Sequence, residues 1–222
     1  MPTRYDFITF DCFGTLIDWE AGISAAFLRK AAEGGVTLTR EAVLEAYARH
    51  EPIVQAEAFR SYREVLGEAA LRAAQDLRWF LSPREAGFLA DSLPEWPPFP
   101  DTVPALKALA TAGKKLGLLS NVDNDLLAAT RRRHLPVAFD LIVTAEQVGS
   151  YKPSRGHFIE ARDHIGEQSW LHAAQSYFHD VIPARSLGIP VAWVNRKDEL
   201  SADGGVPTIE TRSLEGLVDA LV

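Results

Sequence analysis

Four prolines in the seven residues from Pro94 to Pro100 divide this chain into two patterns that no single regular element can bridge. Proline lacks the N–H that a helix interior or a central strand needs, so the stretch from Leu93 to Pro100 reads as a boundary. Before it, residues 19–93 carry apolar side chains at helical spacing. Ile23, Phe27 and Ala31 run up to the stop at Gly34-Gly35, and Val43 and Tyr47 follow a Thr39 cap. Phe59, Tyr62, Val65, Leu66, Leu71, Leu77 and Phe80 continue the spacing across 54–80. Ser82-Pro83 with Glu85 has the form of a capping box and predicts one more helix. After the boundary, short apolar runs at 116–119, 141–143, 170–174 and 191–194 alternate with helical stretches. Those helices are expected at 102–112, from Asp123 or Asn124 through Thr130, and at 158–164, 181–187 and 214–221. A further strand, Phe7–Phe10, precedes the helical block. Alternation of this kind predicts an α/β fold, a mostly parallel sheet with helices on both faces. The expected core domain is residues 1–17 and 95–222, with an inserted all-helical cap domain at 18–94.

A chain of 222 residues can bury a sizeable core, and its 47% hydrophobic and 24% charged residues are those of an ordinary water-soluble globular protein. The net charge of -7 argues against a nucleic-acid or anionic-membrane surface. With one cysteine, Cys12, the chain has neither an internal disulfide nor a multi-cysteine zinc site. No apolar run is long enough to span a bilayer and the N-terminus lacks a signal-like segment, so the reducing cytoplasm is the expected compartment.

In an open α/β sheet, ligands sit beyond the carboxyl ends of the strands, so the residues that follow each strand are the candidates for chemistry. The first strand ends in Asp11-Cys12-Phe13-Gly14-Thr15, a carboxylate, a turn and a hydroxyl. The strand at 116–119 ends in Ser120-Asn121 ahead of a helix, and the segment after Val143 leads to Ser150-Tyr151-Lys152-Pro153. The strand at 170–174 ends in Gln175-Ser176-Tyr177-Phe178-His179-Asp180. A lysine beside a carboxylate keeps it ionised and offsets charge that builds up during attack. Each group also has a plainer reading: Asp11 and Asp180 as caps, Ser120-Asn121 as a helix start, Lys152 as a solvated loop residue.

In that order the motifs resemble the haloacid dehalogenase superfamily of hydrolases, and the resemblance runs the length of the chain. It implies a Rossmann-like core with a helical cap straight after the first motif. It also implies that Asp11 is a nucleophile forming a covalent ester or acyl-phosphate, and that Ser120 and Thr15 hold the substrate's anionic group. Lys152 would keep Asp11 charged, and Asp180 would orient Lys152 or the hydrolytic water. Cys12, Phe13, Asn121, Gln175, Ser176, Tyr177 and His179 are the remaining candidate substrate contacts on these loops. Arg49 is a candidate from the cap, with Arg60 as its rival.

Position 13 separates the branches of the superfamily. The phosphatase branch has a second Asp there to protonate a departing alkoxide, whereas Phe13 cannot transfer a proton. A halide leaves as a stable anion, which places this sequence nearer the 2-haloacid dehalogenases. Gln175 stands where phosphatases supply a second acid for Mg²⁺, which weakens a metal site. The match departs from the dehalogenases too, at Phe158, Gln175, Tyr177 and His179. The expectation is therefore hydrolytic dehalogenation of a small anionic substrate, a 2-haloacid or related carboxylate, through an ester on Asp11, with no metal or other cofactor. The alternatives are a Mg²⁺-dependent phosphatase with a degenerate site and a non-catalytic ligand-binding protein. Cap or core surfaces could pair in a homodimer. Arg131-Arg132-Arg133-His134 reads as a complement to a helix dipole, and Trp79, Phe80 and Trp96 as core.

Overall fold

A computed structural model describes residues 5–222. In chain order it contains β1 (Phe7–Phe10), α1 (Trp19–Glu33), α2 (Arg40–Ala56), α3 (Tyr62–Asp76), α4 (Phe88–Ser92) and α5 (Thr102–Thr111). There follow β2 (Lys115–Ser120), α6 (Asn124–His134), β3 (Leu141–Thr144), α7 (Ala145–Val148), α8 (Gly156–Ile165) and β4 (Trp170–Ala174). The chain closes with α9 (Ile182–Ser186), β5 (Val191–Val194), β6 (Ile209–Thr211) and α10 (Leu214–Leu221). It forms two compact units.

The first unit takes in the described part of the segment up to Ile17, then Pro98–Asn121 and His134–Val222. Its six strands form one all-parallel sheet in the order β3-β2-β1-β4-β5-β6. The chain runs outward from β1 on one side, then returns to its other side at β4, so the strand order reverses beside β1. In such sheets this reversal opens a crevice at the strands' carboxyl ends. Every residue of β1 and β4 is buried, as expected of central parallel strands. Phe7, Leu119, Val143, Phe158, Val181 and Trp193 are among the side chains that fill the core around them. Gly117 on β2 suits this packing, because a Cβ there would lie 3.0 Å from Thr9 and 3.1 Å from Phe7, closer than their side chains could accept without shifting.

The second unit comprises Asp18–Pro97 together with Val122–Arg133. Gly22 lets α1 close onto Trp96, whose indole ring lies where a Cβ would stand and donates to Ser92 Oγ at 3.0 Å. Phe27, Trp79 and Phe88 form an edge-to-face cluster with centroids 5.2–6.1 Å apart. Residues 122–133, expected with the sheet domain, group instead with these helices, and Asp123 shows why. Its carboxylate accepts the Tyr62 and Arg63 backbone N–H groups at 2.7 and 2.9 Å, capping α3 from another segment. Arg63 adds ion pairs to Asp91 and Asp125.

The helical spacing across 54–80 hides a break at 57–61, where Ser61 begins α3 with a full capping box to Glu64. The box at Ser82 makes a turn and not the expected helix. Ser82 donates to Glu85 at 2.6 Å, but the helical run starts only at Phe88, after Gly87. Phe80, expected in the core, is 89% exposed, while Trp79 and Trp96 are buried. The helix expected at 181–187 starts earlier, as a single π-type turn over Tyr177–Val181 leading into α9. Strand β6 had no clear sequence signal, being three half-exposed residues at the sheet edge.

Candidate active site

Asp11 leaves the end of β1 with its N–H still bonded to Ala173 O on β4, at 3.1 Å. Behind it the chain folds into a tight turn in which the Leu16 and Ile17 N–H groups both donate to Cys12 O. Gly14 permits that turn with φ of 102°, a region where a side chain is strained. The turn brings Thr15 back so that its hydroxyl donates to Asp11 Oδ2 at 2.9 Å and accepts from Gln175 N–H at 2.9 Å. Arg196 holds the turn from outside, donating to Thr15 O at 2.9 Å while pairing with Asp101 and stacking on Phe99.

The other carboxylate oxygen of Asp11 accepts from Lys152 Nζ at 2.9 Å. Lys152 is 1% exposed, and each of its three N–H donors has an acceptor: Asp11 Oδ1, Leu119 O at 2.8 Å and Asp180 Oδ1 at 2.5 Å. Its backbone is placed by Asn121, whose side-chain amide accepts from Lys152 N–H at 2.7 Å and donates to Lys152 O at 3.0 Å. Asn121 thus acts on the lysine loop, a use that spacing alone could not show. Lys152-Pro153 is a cis peptide.

Two buried carboxylates flank one ammonium, an arrangement that leaves one excess negative charge. Burial alone would raise Asp180, but Lys152 and His172 outweigh it and hold the carboxyl near 2. For Asp11 burial wins: the carboxyl sits above its ordinary value, with Lys152 pulling it back and the Asp180 charge adding to the rise. Burial would lower Lys152, yet its two carboxylates raise it. Asp180 is therefore the settled counter-ion and Asp11 the more basic carboxylate of the pair.

Ser120, at the end of β2, is fully buried and its Oγ has no protein partner. Its carbonyl accepts from His157 Nε2 at 3.1 Å. His157 is held near 3, first by burial and then by Lys152, and stays neutral at physiological pH. Phe13 is half-buried, and Cys12 is fully buried. Ser176 caps the π-type turn: its Oγ accepts from His179 N–H at 3.1 Å and bonds the same residue's Nδ1 at 3.0 Å. Burial lowers His179 from its usual value.

One expected contact within this unit turns away from the cluster. Tyr177 packs its ring on Trp193, centroids 4.8 Å apart, and donates its hydroxyl to Asp203 at 2.5 Å. Arg49, on α2, pairs with Glu45 and Asp76 at the surface of the helical unit; Arg60 pairs with Glu57. Three residues that sequence reasoning passed over belong to the network: His172, Thr9 and Trp170. A histidine inside a five-residue buried strand was the available signal, since a buried polar ring needs partners.

Mg²⁺ requires oxygen ligands, usually carboxylates. Here Lys152 already bridges the two carboxylates, and Gln175 brings no further acid. No cluster of three or more His, Cys, Asp or Glu suited to a metal occurs among the described residues. The donor set does not fit Mg²⁺.

A parallel sheet of this order thus carries an aspartate, just beyond β1, bonded to a buried lysine. The model of the haloacid dehalogenase-like hydrolase family matches residues 5–176, and the chain belongs to that family. The (S)-2-haloacid dehalogenase of Pseudomonas sp. strain YL is 26% identical over 218 residues, covering 96% of this chain and 92% of that enzyme. Haloacid dehalogenase-like hydrolase domain-containing protein 3 of Danio rerio is 35% identical over 105 residues, 46% of this chain and 43% of that protein. This chain thus matches less than half of the fish protein's length. The structure of L-2-haloacid dehalogenase from Xanthobacter autotrophicus with chloropropionic acid covalently bound shares the fold. Its TM-score is 0.80 at 19% identity, covering 97% of each chain. Among the described residues no helix is long and apolar enough to cross a membrane.

Proposed function

We propose that this hydrolase displaces halide from a small 2-haloacid without a metal ion, with Asp11 as nucleophile. The observation that carries this reading is the saturated Lys152 ammonium between Asp11 and Asp180. It fills the place between the carboxylates with a fixed positive charge and leaves the excess negative charge on the more basic of the two. A carboxylate oxygen of Asp11 attacks C2, and the C–X bond breaks with its electron pair leaving on the halide. The product is an ester between Asp11 and the acid. Water then adds to the Asp11 carbonyl carbon as one of its protons passes to Asp180. The bond from that carbon to the substrate oxygen breaks, and Asp180 returns the proton to the departing oxygen. The 2-hydroxy acid leaves, while Asp11 releases the second water proton to solvent and is regenerated as the carboxylate. Halide needs no proton to depart, which agrees with Phe13 beside the nucleophile. Ser120 Oγ, buried without a protein partner, is suited to donate to the substrate carboxylate.

Halide release from 2-haloacids should continue in EDTA, fall to background in Asp11→Asn, and place ¹⁸O from labelled water first in the Asp11 carboxylate. Release of phosphate from aryl phosphates only with Mg²⁺, and no halide, would overturn this reading.

A further inference from the structure

A buried hydrogen-bond chain approaches Asp180 from behind the site. Trp170 Nε1–H, which can only donate, gives its proton to Thr9 Oγ1 at 2.8 Å. Thr9 Oγ1 lies 2.8 Å from His172 Nδ1, and His172 Nε2 lies 3.0 Å from Asp180 Oδ1. An ionised carboxylate only accepts, so Nε2 must carry a hydrogen. In the neutral ring Nδ1 is then bare and accepts from the Thr9 hydroxyl. Phe158 fixes the ring plane edge to face, with centroids 5.1 Å apart at 89°. Thr9 and His172 are wholly buried, which holds the imidazole in one orientation.

The consequence falls on Asp180. Lys152 and His172 both donate to Oδ1, while Oδ2 is buried and has no protein donor. A buried carboxylate oxygen left bare is costly, and a water hydrogen is its natural partner. Without the imidazole, the carboxylate could rotate and offer both oxygens to Lys152. We infer that His172 is a positioning residue: its Nε2–H pins Asp180 Oδ1 so that Oδ2 stays free for the water that opens the Asp11 ester. This rests on the two-step reaction proposed above, and it assigns His172 to the second step alone.

Three measurements test it. First, ¹⁵N NMR of the imidazole should show His172 protonated at Nε2 and bare at Nδ1, with no substrate needed; the opposite tautomer overturns the inference. Second, single-turnover reaction with L-2-chloropropionate should separate the steps by halide release and by intact-protein mass. His172→Leu should release one equivalent of chloride nearly as fast as wild type. Its Asp11 ester should then persist, opening about 100-fold more slowly, the scale of a lost general base. Third, His172→Gln, which restores an N–H donor, should recover ester opening to within about tenfold of wild type and melt like it. Equal slowing of both steps by His172→Leu, or a folded His172→Gln no better than Leu, would show a purely structural histidine. Should His172→Leu not fold, His172→Phe, which keeps the ring's bulk without its N–H, should show the same accumulation of ester; rapid opening in that variant overturns the inference. If wild type yields neither chloride nor adduct, the dehalogenase reading has failed, and the tautomer alone decides whether His172 pins Asp180.

Discussion

Lys152 shows what a single buried charge can and cannot do. Its three donors satisfy two carboxylates and one carbonyl, so the ammonium is fully compensated while one unit of negative charge remains. Removing the lysine would leave two uncompensated buried carboxylates, whereas neutralising one carboxylate would leave a balanced pair. Ser120 is the opposite case, a buried hydroxyl that no protein group satisfies. If the hydroxyl serves the substrate, Ser120→Ala should raise the melting temperature, by relieving about 1 kcal/mol of unmet hydrogen bonding. The same change should raise KM for a 2-haloacid about tenfold, the equivalent of one hydrogen bond. Thermal melts and initial rates on one preparation check both halves. At this scale the sequence showed the ionisable residues at strand ends, because strand ends face ligands. It hid Thr9 and His172, whose partners lie 163 residues apart along the chain.

The helices carry their own pH response. Glu51 on α2 is pushed up to about 7 by burial, against the opposing hydrogen bonds from Gln55 and Tyr62. Its folded value lies above the usual 4.5, so between the two the folded chain binds a proton that the unfolded chain has lost. Glu51's contribution to stability should therefore be greatest below about pH 4.5, decline as pH rises to about 7, and level off above that. Glu51→Gln should remove the decline, worth about 1–2 kcal/mol at neutral pH once partial solvent access is allowed for. Denaturant melts at several pH values measure it, and an unchanged slope would refute it. Gly22 on α1 gives a sharper test. A Cβ there would stand 2.1 Å from the Trp96 ring, so Gly22→Ala should cost about 2–3 kcal/mol despite alanine's better helix propensity. Periodicity revealed these helices but not the break at 57–61. A gap of one turn leaves the apolar spacing nearly in phase, and only the Ser61–Glu64 capping box marked it. Conversely, the Ser82–Glu85 box had too little helix-favouring sequence before Gly87 to propagate.

Across the whole molecule, the alternation of strands and helices made the parallel sheet legible. The attachment of residues 122–133 to the helices was not, since it depends on the Asp123 carboxylate capping a helix some 60 residues earlier in the chain. Sheet order has a further consequence, for how the protein is made. The strand that bears Asp11 emerges first from the ribosome, but its two neighbours are β2 and β4, and Lys152 lies 141 residues downstream. Until β4 is synthesised, β1 has an open edge and Asp11 has only part of its environment. Such long-range pairing is slow to form, because loop closure precedes any gain from contact. In a nascent chain Asp11 consequently lacks its lysine partner until 141 further residues have been made. The unpaired middle strand is the segment most in need of shielding by a chaperone until the last third of the chain arrives.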